Sequence, residues 1–351
     1  MLSASYCRYR LIFKSEARTS RSVMLHKNTW FVRLHDSESG KTGIGECALF
    51  EGLSCDDKPA YEARLSGACR ALMEGRNPDL RDYPSIRFGI ETALADLANG
   101  GEMKPFPSSW SLGERAIAIN GLVWMGSAEQ MQERVAQKIA AGFKCVKLKI
   151  GGVDFDDEVA ILRSIRSAFS ANQIEIRLDA NGAFAPSEAL RKLDILAGFD
   201  IHSIEQPIRQ NQLKEMAEIC RKSPIPIALD EELIGRNSAD EKMRMLETVR
   251  PAYVILKPAL CGGFSGADEW INVAEAVGSG WWATSALESN IGLNAIAQWV
   301  SLKDTKMPQG LGTGALYVNN IESPIVQTGD SLRYNPEIRW VIPEMQWMDV
   351  K

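Results

Sequence analysis

Short apolar runs alternate with amphipathic stretches along the chain from about residue 116 to residue 312. Each run has the length of a strand, and the stretches between runs repeat apolar residues every three or four positions, as a helix packed on one face does. The runs read AIAINGLVW, CVKLKI, IEIRLD, IHSIEQ, IPIALDE, AYVILKP, WWATSAL and QGLGTG. A strand–helix repeat that continues through eight strands closes into a barrel. An open doubly wound sheet is the alternative, but the first turn of the repeat lacks the GxGxxG pattern of dinucleotide-binding sheets.

Two of the predicted helices carry start signals. Ser127 and Gln130 have the spacing of a capping box, ahead of apolar residues that recur every four positions. Further along, Asp156, Asp157 and Glu158 open another amphipathic stretch, and the helix dipole favours negative charge at that end. These signals support the helical interpretation of the stretches between the runs.

Both ends of the chain have a different pattern. In residues 29–46 two alternating segments flank the polar DSESGK, which predicts a hairpin, and residues 59–75 and 85–101 carry the apolar stripes of helices. After residue 312 the helical period stops and the chain reads as turns and extended pieces. We therefore predict an α/β fold: an α+β capping domain (residues 1–112), a TIM-like (β/α)7β barrel (residues 113–312), and a C-terminal segment (residues 313–351) that returns to the cap.

Composition excludes several classes of protein. The chain is 45% hydrophobic with a net charge of -5, and its 40 Lys and Arg residues form no basic stripe, which argues against binding to nucleic acid. No run of 18 apolar residues occurs and the N-terminus lacks a small-residue cleavage site, so we predict neither a membrane span nor a signal peptide. Seven cysteines without CxxC spacing favour reduced thiols in the cytoplasm. The oligomeric state is left open.

Histidine is scarce, with three residues in the whole chain. That scarcity argues against a serine–histidine triad and against a histidine-rich metal site. We expect His202 to be a packed, hydrogen-bonded residue, because it lies on the strand parity opposite Glu205.

One ionisable residue ends each of five consecutive strands of the predicted barrel. They are Lys149, Asp179, Glu205, Asp230 and Lys257, and they recur every 25 to 30 residues. Active sites of such barrels lie at the C-terminal ends of the strands, so these side chains should meet. Salt-bridged strand ends without a catalytic role are the alternative.

The three carboxylates Asp179, Glu205 and Asp230 would repel one another in one small space unless a cation lay among them. Oxygen-only ligation favours a hard divalent ion, Mg²⁺, for which Mn²⁺ could substitute. A metal that binds a substrate carboxylate stabilises the second negative charge that develops when the α-proton leaves. The expected partner is therefore a small-molecule carboxylate.

Lys147 and Lys149 point to the same face of the strand CVKLKI, because alternate side chains share a face. A lysine acts as a base when its pKa falls, and a like charge nearby lowers it. Lys147 could therefore lower the pKa of Lys149, or it could form a structural ion pair with a strand-end carboxylate. Lys257 lies on the opposite side of the barrel, about half a turn away.

The motifs that carry these residues resemble the muconate-lactonising subgroup of the enolase superfamily. VKLKI is similar to its KxK motif, RLDANGAF, SIEQP and ALDEE to its three metal-ligand segments, and ILKP to the segment with the opposite lysine. The resemblance implies that Lys149 removes the α-proton and that Lys257 stays an ammonium that stabilises the enediolate. It also implies supporting roles for Lys147, Arg177 and Asn181.

Within the subgroup the segments GECALFEGLS, RFGIETALADL and SALESNIGLNAIAQW resemble the o-succinylbenzoate synthase family. That likeness implies an Mg²⁺-dependent lyase that dehydrates 2-succinyl-6-hydroxy-2,4-cyclohexadiene-1-carboxylate in menaquinone biosynthesis. N-succinylamino acid racemases and dipeptide epimerases of the subgroup are the alternative, since they use the same two lysines for 1,1-proton transfer. Dipeptide epimerases usually show a DxD motif near the eighth strand, where this chain reads GLGTGAL. A barrel without activity that serves as a binding module would predict a broken set of charges.

Substrate contacts are predicted on two loops. Gly262 and Gly263 could offer backbone N–H groups to a carboxylate, although turn geometry alone also explains two glycines. Ser285, after the seventh strand, is a similar candidate. The segments SEARTSRS and FEGLS are expected to close over the site, with Arg18 or Arg21 near the distal carboxylate of the substrate.

Overall fold

A computed structural model describes residues 1–18 and 23–351, leaving aside the side chains of Arg18 and Ala128. Its N-terminal part is an antiparallel sheet covered by two helices. The elements are β1 (Leu2–Arg18), β2 (Val23–Asp36), β3 (Lys41–Cys47), α1 (Tyr61–Met73) and α2 (Pro84–Ala98). The predicted hairpin is confirmed, because β2 and β3 pair up to the Asp36–Lys41 contact beside the turn. Both predicted helices of this part are also confirmed.

Glycines let α2 lie directly against β3. A Cβ atom on Gly43 would lie 2.0 Å from Ala93 O, and one on Gly45 would lie 1.9 Å from Gly89 O. No side chain fits in that space, so glycine is required on the strand for the helix to approach this closely. The close approach fixes the position of α2, which also contacts the barrel.

The barrel is a parallel sheet of seven strands whose order in space follows the chain. β4 (Ile117–Ala118) precedes this sheet in the chain and lies outside it. The seven strands of the sheet are β5 (Gly121–Val123), β6 (Cys145–Lys149), β7 (Glu175–Asp179), β8 (Ile201–Glu205), β9 (Ile227–Leu229), β10 (Tyr253–Leu256) and β11 (Gly280–Ala283). The helices are α3 (Ala128–Ala140), α4 (Phe155–Ala168), α5 (Pro186–Ala197), α6 (Leu213–Lys222), α7 (Ala239–Val249), α8 (Pro258–Cys261), α9 (Gly263–Ala276) and α10 (Asn290–Ser301). Residues 309 and 310 close the ring, since Gln309 bridges Ile119 and Gly310 bridges Thr284, both in parallel. The predicted (β/α)7β architecture is confirmed.

The predicted helix starts are present. Ser127 and Gln130 form a reciprocal capping box at α3. At α4 the Asp154 side chain accepts a hydrogen bond from the Asp156 amide, with the predicted acidic residues in the first turn. Each device satisfies backbone N–H groups that a helix leaves unpaired at its start.

After the barrel, the chain pairs again with the N-terminal sheet. The described residues after α10 form the strands β12 (Ile325–Thr328), β13 (Ser331–Tyr334) and β14 (Met348–Asp349) and no helix. β13 pairs with β4 and with β12, and β14 adds an edge strand to β1. The boundaries after residues 112 and 312 stay a prediction. In the described part of the chain, every helix is too short or too polar to cross a membrane.

Candidate active site

The five predicted charged residues meet at the C-terminal end of the barrel. Lys149, Asp179 and Glu205 are the last residues of neighbouring strands and lie in direct register with one another. Asp230 directly follows β9, and Lys257 directly follows β10. The three carboxylates and Lys149 are buried.

Lys149, Asp179, Lys147 and Glu205 form a connected chain of ion pairs, and Lys257 and Asp230 form a separate pair. Lys149 Nζ lies 2.7 Å from Asp179 Oδ2, and Lys147 Nζ lies 3.1 Å from that same oxygen. Lys147 also donates to Glu205 Oε2 at 2.7 Å, and Lys257 pairs with Asp230. The ion pair that was the alternative role of Lys147 is therefore present. Its effect on the pKa of Lys149 stays a prediction.

The electrostatics keep two of the lysines charged. Burial alone would lower the pKa of Lys147, but the Glu205 and Asp179 carboxylates outweigh it and raise that pKa. The same balance holds at Lys257, where Asp230 and Glu205 raise the pKa against the effect of burial. Lys257 is thus held as an ammonium, the state that its predicted role requires.

The lysines do not fully compensate the negative charge of the three carboxylates. Burial and the neighbouring Asp179 carboxylate raise the pKa of Glu205 well above its ordinary value, while Glu205 Oε1 is buried without a hydrogen-bond partner in the described structure. Burial opposes ionisation of Asp179 as well, but Lys149 and Lys147 overcome it and lower its pKa. Buried oxygen donors with this demand fit a hard divalent cation. As oriented among the described residues, no three acidic, histidine or cysteine side chains are grouped to hold a metal ion.

Asn181 supports Lys149 from the loop after β7. Lys149 Nζ donates to Asn181 Oδ1 at 2.8 Å, and Asn181 Nδ2 donates to Glu231 Oε1 at 3.0 Å. The backbone of Asn181 is left-handed (φ 45°), a conformation that asparagine tolerates better than most residues. Asn181 therefore holds the ammonium of Lys149 in place, and its supporting role in the reaction stays a prediction.

Arg177 lies one layer deeper in the barrel. Its Nε donates to Glu175 Oε1 at 2.8 Å, its Nη1 donates to Pro308 O at 2.9 Å, and its guanidinium lies 4.4 Å from the Trp282 ring centroid. These contacts join opposite sides of the barrel. Arg177 therefore supports the barrel beneath the carboxylates.

A cavity of about 330 Å³ opens above the charged residues. Its polar wall includes Lys147, Lys149, Asn181, Lys257 and Ser285. Apolar residues form most of the remainder: Met24, Phe50, Leu53, Leu122, Trp124, Leu260, Ala286 and Leu287. The predicted closure by FEGLS is confirmed for Phe50 to Leu53. Arg21 and the side chain of Arg18 lie outside what the structure describes.

The two glycines predicted to bind substrate are absent from the described cavity wall. Gly262 (φ 109°) and Gly263 (φ 72°) make the turn between α8 and α9, which accounts for both glycines. Just after them, Glu91 Oε2 of α2 accepts hydrogen bonds from the backbone amides of Phe264 and Ser265 at 2.6 and 3.2 Å. This helix start is therefore engaged by the cap.

Ser285 lies in the cavity wall, as predicted, but its hydroxyl already has partners. Ser285 Oγ donates to Glu288 Oε2 at 2.5 Å and accepts from the amide of Leu287 at 2.9 Å. Burial raises the pKa of Glu288 to about 7, against the effects of Ser285 and Lys27. The Ser285 side chain thus shapes the loop that forms the wall.

Sequence reasoning missed a buried ionic cluster between cap and barrel. Glu46 of β3 accepts four hydrogen bonds, from Thr29 Oγ1, Ser289 N, Ser289 Oγ and Gly292 N, at 2.6–3.0 Å. Lys27 and Glu288 lie close enough to interact electrostatically. The signal available was an acid in GIGEC, in a segment otherwise without charge. Sequence reasoning also missed Asn120, a polar residue within the first apolar run, which lines the cavity.

Comparison with known proteins places this geometry in a family. A family model described as enolase C-terminal domain-like matches residues 130–326. The o-succinylbenzoate synthase of Desulfotalea psychrophila is 47% identical over 365 aligned residues, covering 94% of this chain and 98% of that protein. The crystal structure of MenC from the same organism has a TM-score of 0.84 at 45% identity, covering 95% of this chain and 99% of that chain. The L-Ala-D/L-Glu epimerase of Bacillus subtilis is 27% identical, covering 76% and 75%.

The matched residues contain the strand-end carboxylates and both lysines of the barrel rim, and the fold agrees over nearly the whole chain. This chain therefore belongs to the enolase superfamily, with the o-succinylbenzoate synthases of its muconate-lactonising subgroup.

Proposed function

We propose that the protein is an o-succinylbenzoate synthase, a lyase that dehydrates 2-succinyl-6-hydroxy-2,4-cyclohexadiene-1-carboxylate to 2-succinylbenzoate in menaquinone biosynthesis. One observation carries this choice of reaction: the 47% identity to a synthase over 94% of the chain, against 27% to an epimerase. Because its seven cysteines are all free, we propose that it works in the reducing cytoplasm.

Lys149 is the proposed base. Asp179 and Asn181 position its Nζ, which in the neutral amine form takes the proton from C1 of the ring and becomes an ammonium. The electron pair of that C–H bond moves into the carboxylate as an enediolate. The pair then returns to form the ring double bond, the C6–O bond breaks, and the hydroxide leaves as water with the proton from Lys149. An aromatic ring results, which makes the second step favourable.

Lys257 has the complementary role. It lies across the carboxylates from Lys149, and nearby acids hold it as an ammonium. A fixed positive charge close to a developing anion lowers the barrier because it is already oriented before the reaction. Lys257 therefore stabilises the enediolate without moving a proton.

Asp179, Glu205 and Asp230 would hold Mg²⁺, or Mn²⁺ in its place. The bound ion would supply Lewis-acid stabilisation of the substrate carboxylate and of the charge that develops on it. Support comes from the oxygen-only donor set and from the buried, unpartnered Glu205 Oε1.

The shape and charge of the cavity support a dicarboxylate with an apolar ring. Trp124, Phe50 and Leu53 offer apolar surface to the ring. Gly310, Gly312 and Thr313 form the described wall at the closing strand, so no acid from these positions would meet a substrate ammonium. The closing strand therefore offers no counterpart of the acidic motif of dipeptide epimerases, and the acids that line the cavity, Glu51 and Glu231, lie elsewhere in its wall.

N-succinylamino acid racemase or dipeptide epimerase activity is the second candidate. Two lysines on opposite sides of a site can remove and return an α-proton on opposite faces, and both lysines line this cavity. The protein is 27% identical to the L-Ala-D/L-Glu epimerase, which fits this chemistry. Because its identity to the synthase is higher, at 47%, racemase or epimerase activity is the second candidate.

The test is the Mg²⁺-dependent loss of cyclohexadiene absorbance in wild type, Lys149→Ala and Lys257→Ala, with the half-exposed Lys222→Ala as matched control. Removing the base should cost about 10²- to 10⁴-fold in kcat, and the control should keep wild-type activity. A folded, Mg²⁺-supplied wild type that leaves the absorbance unchanged would refute the synthase. Exchange and inversion of the α-proton of N-succinylamino acids or dipeptides would then identify the alternative.

A further inference from the structure

The rim of the barrel is divided into sectors by charge. The carboxylates end the third to fifth strands, and the lysines end the second and sixth. The remaining strands, the seventh, eighth and first, bring neutral polar residues to the cavity: Thr284, Ser285, Thr313 and Asn120. In a ring of eight strands, this neutral sector faces the carboxylates across the cavity.

Two of the four polar side chains in this sector are already engaged by the protein. Thr284 Oγ1 donates to Gly310 O at 2.9 Å, and Ser285 Oγ donates to Glu288 Oε2 at 2.5 Å. Both hydroxyl groups therefore already donate their hydrogen to another atom of the protein. A ligand would have to displace those contacts to use them.

The other two side chains have unused capacity. Asn120 Oδ1 and Thr313 Oγ1 are buried and have no hydrogen-bond partner within residues 1–18 and 23–351. Asn120 is 3% exposed and Thr313 is 4% exposed. A buried polar atom without a partner is costly, and proteins keep few of them unless a ligand or water supplies the bond.

Asn120 and Thr313 are also neighbours. The Asn120 amide donates to Gln309 O of the closing strand at 3.0 Å, and a Cβ atom on Gly312, the residue before Thr313, would lie 3.6 Å from Asn120 O. Rotation about one side-chain bond presents the N–H group of Asn120, and likewise the O–H group of Thr313. The backbones that carry the two side chains are therefore adjacent, and both side chains line the same cavity.

We infer that Asn120 and Thr313 form the subsite for the distal carboxylate of the succinyl arm. This inference rests on the proposed function, which puts the ring carboxylate at Asp179, Glu205 and Asp230. The succinyl arm must then extend away from that sector, and its charged end needs donors. Neutral donors suit it, because an additional cation in this sector would compete with the metal for the ring carboxylate.

The experiment compares two ligands in the presence of Mg²⁺ by titration calorimetry. One is the product, 2-succinylbenzoate, and the other is 2-butanoylbenzoate, which has the same ring and ketone but no distal carboxylate. The variants are Asn120→Ala and the nearly isosteric Thr313→Val. Thr284→Val is the matched control, since it removes the same hydroxyl from the same wall where that hydroxyl already serves Gly310.

Each variant should bind 2-succinylbenzoate about tenfold more weakly and bind 2-butanoylbenzoate as wild type does. The control should change the two affinities equally, so that their ratio stays as in wild type. Equal weakening of both ligands by Thr313→Val and Asn120→Ala, or unchanged binding of the product, would overturn the subsite.

Turnover separates this inference from the proposed function. A wild type that dehydrates the substrate, with variants that bind both ligands alike, would overturn the subsite and leave the synthase standing. A folded wild type that neither turns over the substrate nor binds 2-succinylbenzoate would overturn both. The folding of each variant is checked by its urea unfolding curve.

Discussion

Lys147 touches two carboxylates, and that double contact makes it the residue most sensitive to what else the site binds. It lies 2.7 Å from Glu205 and 3.1 Å from Asp179, and it is almost completely buried. Removing one partner of a buried ion pair is costly because the other charge stays buried without compensation. A divalent cation could compensate both carboxylates.

For Lys147→Met we therefore predict a metal-dependent loss of stability. In EDTA the variant should be about 3–5 kcal/mol less stable than wild type, and Mg²⁺ should restore more stability to the variant than it adds to wild type. Urea unfolding with and without Mg²⁺ measures both quantities, with Lys222→Met as an exposed control. A loss that is the same in EDTA and in Mg²⁺ would contradict a metal at these carboxylates.

Glu288 gives a prediction for pH. Burial raises its pKa from 4.5 to about 7, so the unfolded chain releases the proton before the folded protein does. Stability is therefore fully present below about pH 4.5 and is lost as pH rises through 7, on the order of 3 kcal/mol from this group. Lys27, Glu46 and Ser285 face the carboxyl group and enter the same balance.

Glu288→Gln has no proton to release there. Wild type should lose most of this stability between pH 5 and pH 8, and Glu288→Gln should not. The difference between their free energies of unfolding should therefore shift in favour of the variant over this range, as measured by urea titration at each pH. Parallel pH profiles for the two proteins would mean that Glu288 is ionised in the folded protein throughout. Glu62→Gln, an acid bonded to Trp30 within the cap, is the comparison.

Among the elements, α9 depends on the cap for its N-terminal end. Glu91 of α2 accepts hydrogen bonds from the amides of Phe264 and Ser265 and pairs with Arg87 at 3.0 Å. A carboxylate at a helix N-terminus satisfies unpaired N–H groups and complements the helix dipole. This contact fixes the loop that follows Lys257.

We predict that Glu91→Gln lowers stability by about 1 kcal/mol, because the amide keeps an acceptor oxygen but loses the charge. Glu91→Ala should lower it further, since the amides of α9 then lose their partner. Urea unfolding of both variants checks the order, and high salt should narrow the gap between wild type and Glu91→Gln. Equal stabilities for all three proteins would show that solvent caps α9 equally well.

The elements that follow from local pattern could be predicted, and the contacts between distant elements could not. The strands, the capping box at Ser127 and the position of Lys149 depend on periods of two and of three to four residues within one segment. Glu91 has the pattern of an exposed helix residue, because its partner lies 173 residues away in the chain. For the same reason the sequence offers Gly262 and Gly263 both as candidate ligands and as turn residues, because it does not show that the cap engages the helix start behind them.

At the scale of the whole molecule, Glu46 joins the cap to the barrel. Its carboxylate is completely buried and binds Thr29 of the cap together with Ser289 and Gly292 at the start of α10. The loop that precedes α10 carries Ser285 and Leu287 of the cavity wall, and the segment that follows β3 carries Phe50 and Leu53. The Glu46 carboxylate thus holds together the two segments that carry these cavity-lining residues. This contact could not be predicted from local sequence patterns, because 243 residues separate Glu46 from Ser289.

Glu46→Gln should therefore weaken both stability and substrate binding. A glutamine cannot accept all four hydrogen bonds, because its amide nitrogen would face donors, so we expect a loss of about 2–3 kcal/mol in the free energy of unfolding. KM for the synthase substrate should rise several-fold while kcat changes less, since Lys149 and Lys257 lie on the barrel alone. Glu62→Gln, which disturbs only the cap, should leave KM unchanged. If Glu46→Gln lowered stability with KM unaltered, the cap would hold its loops over the site without this joint.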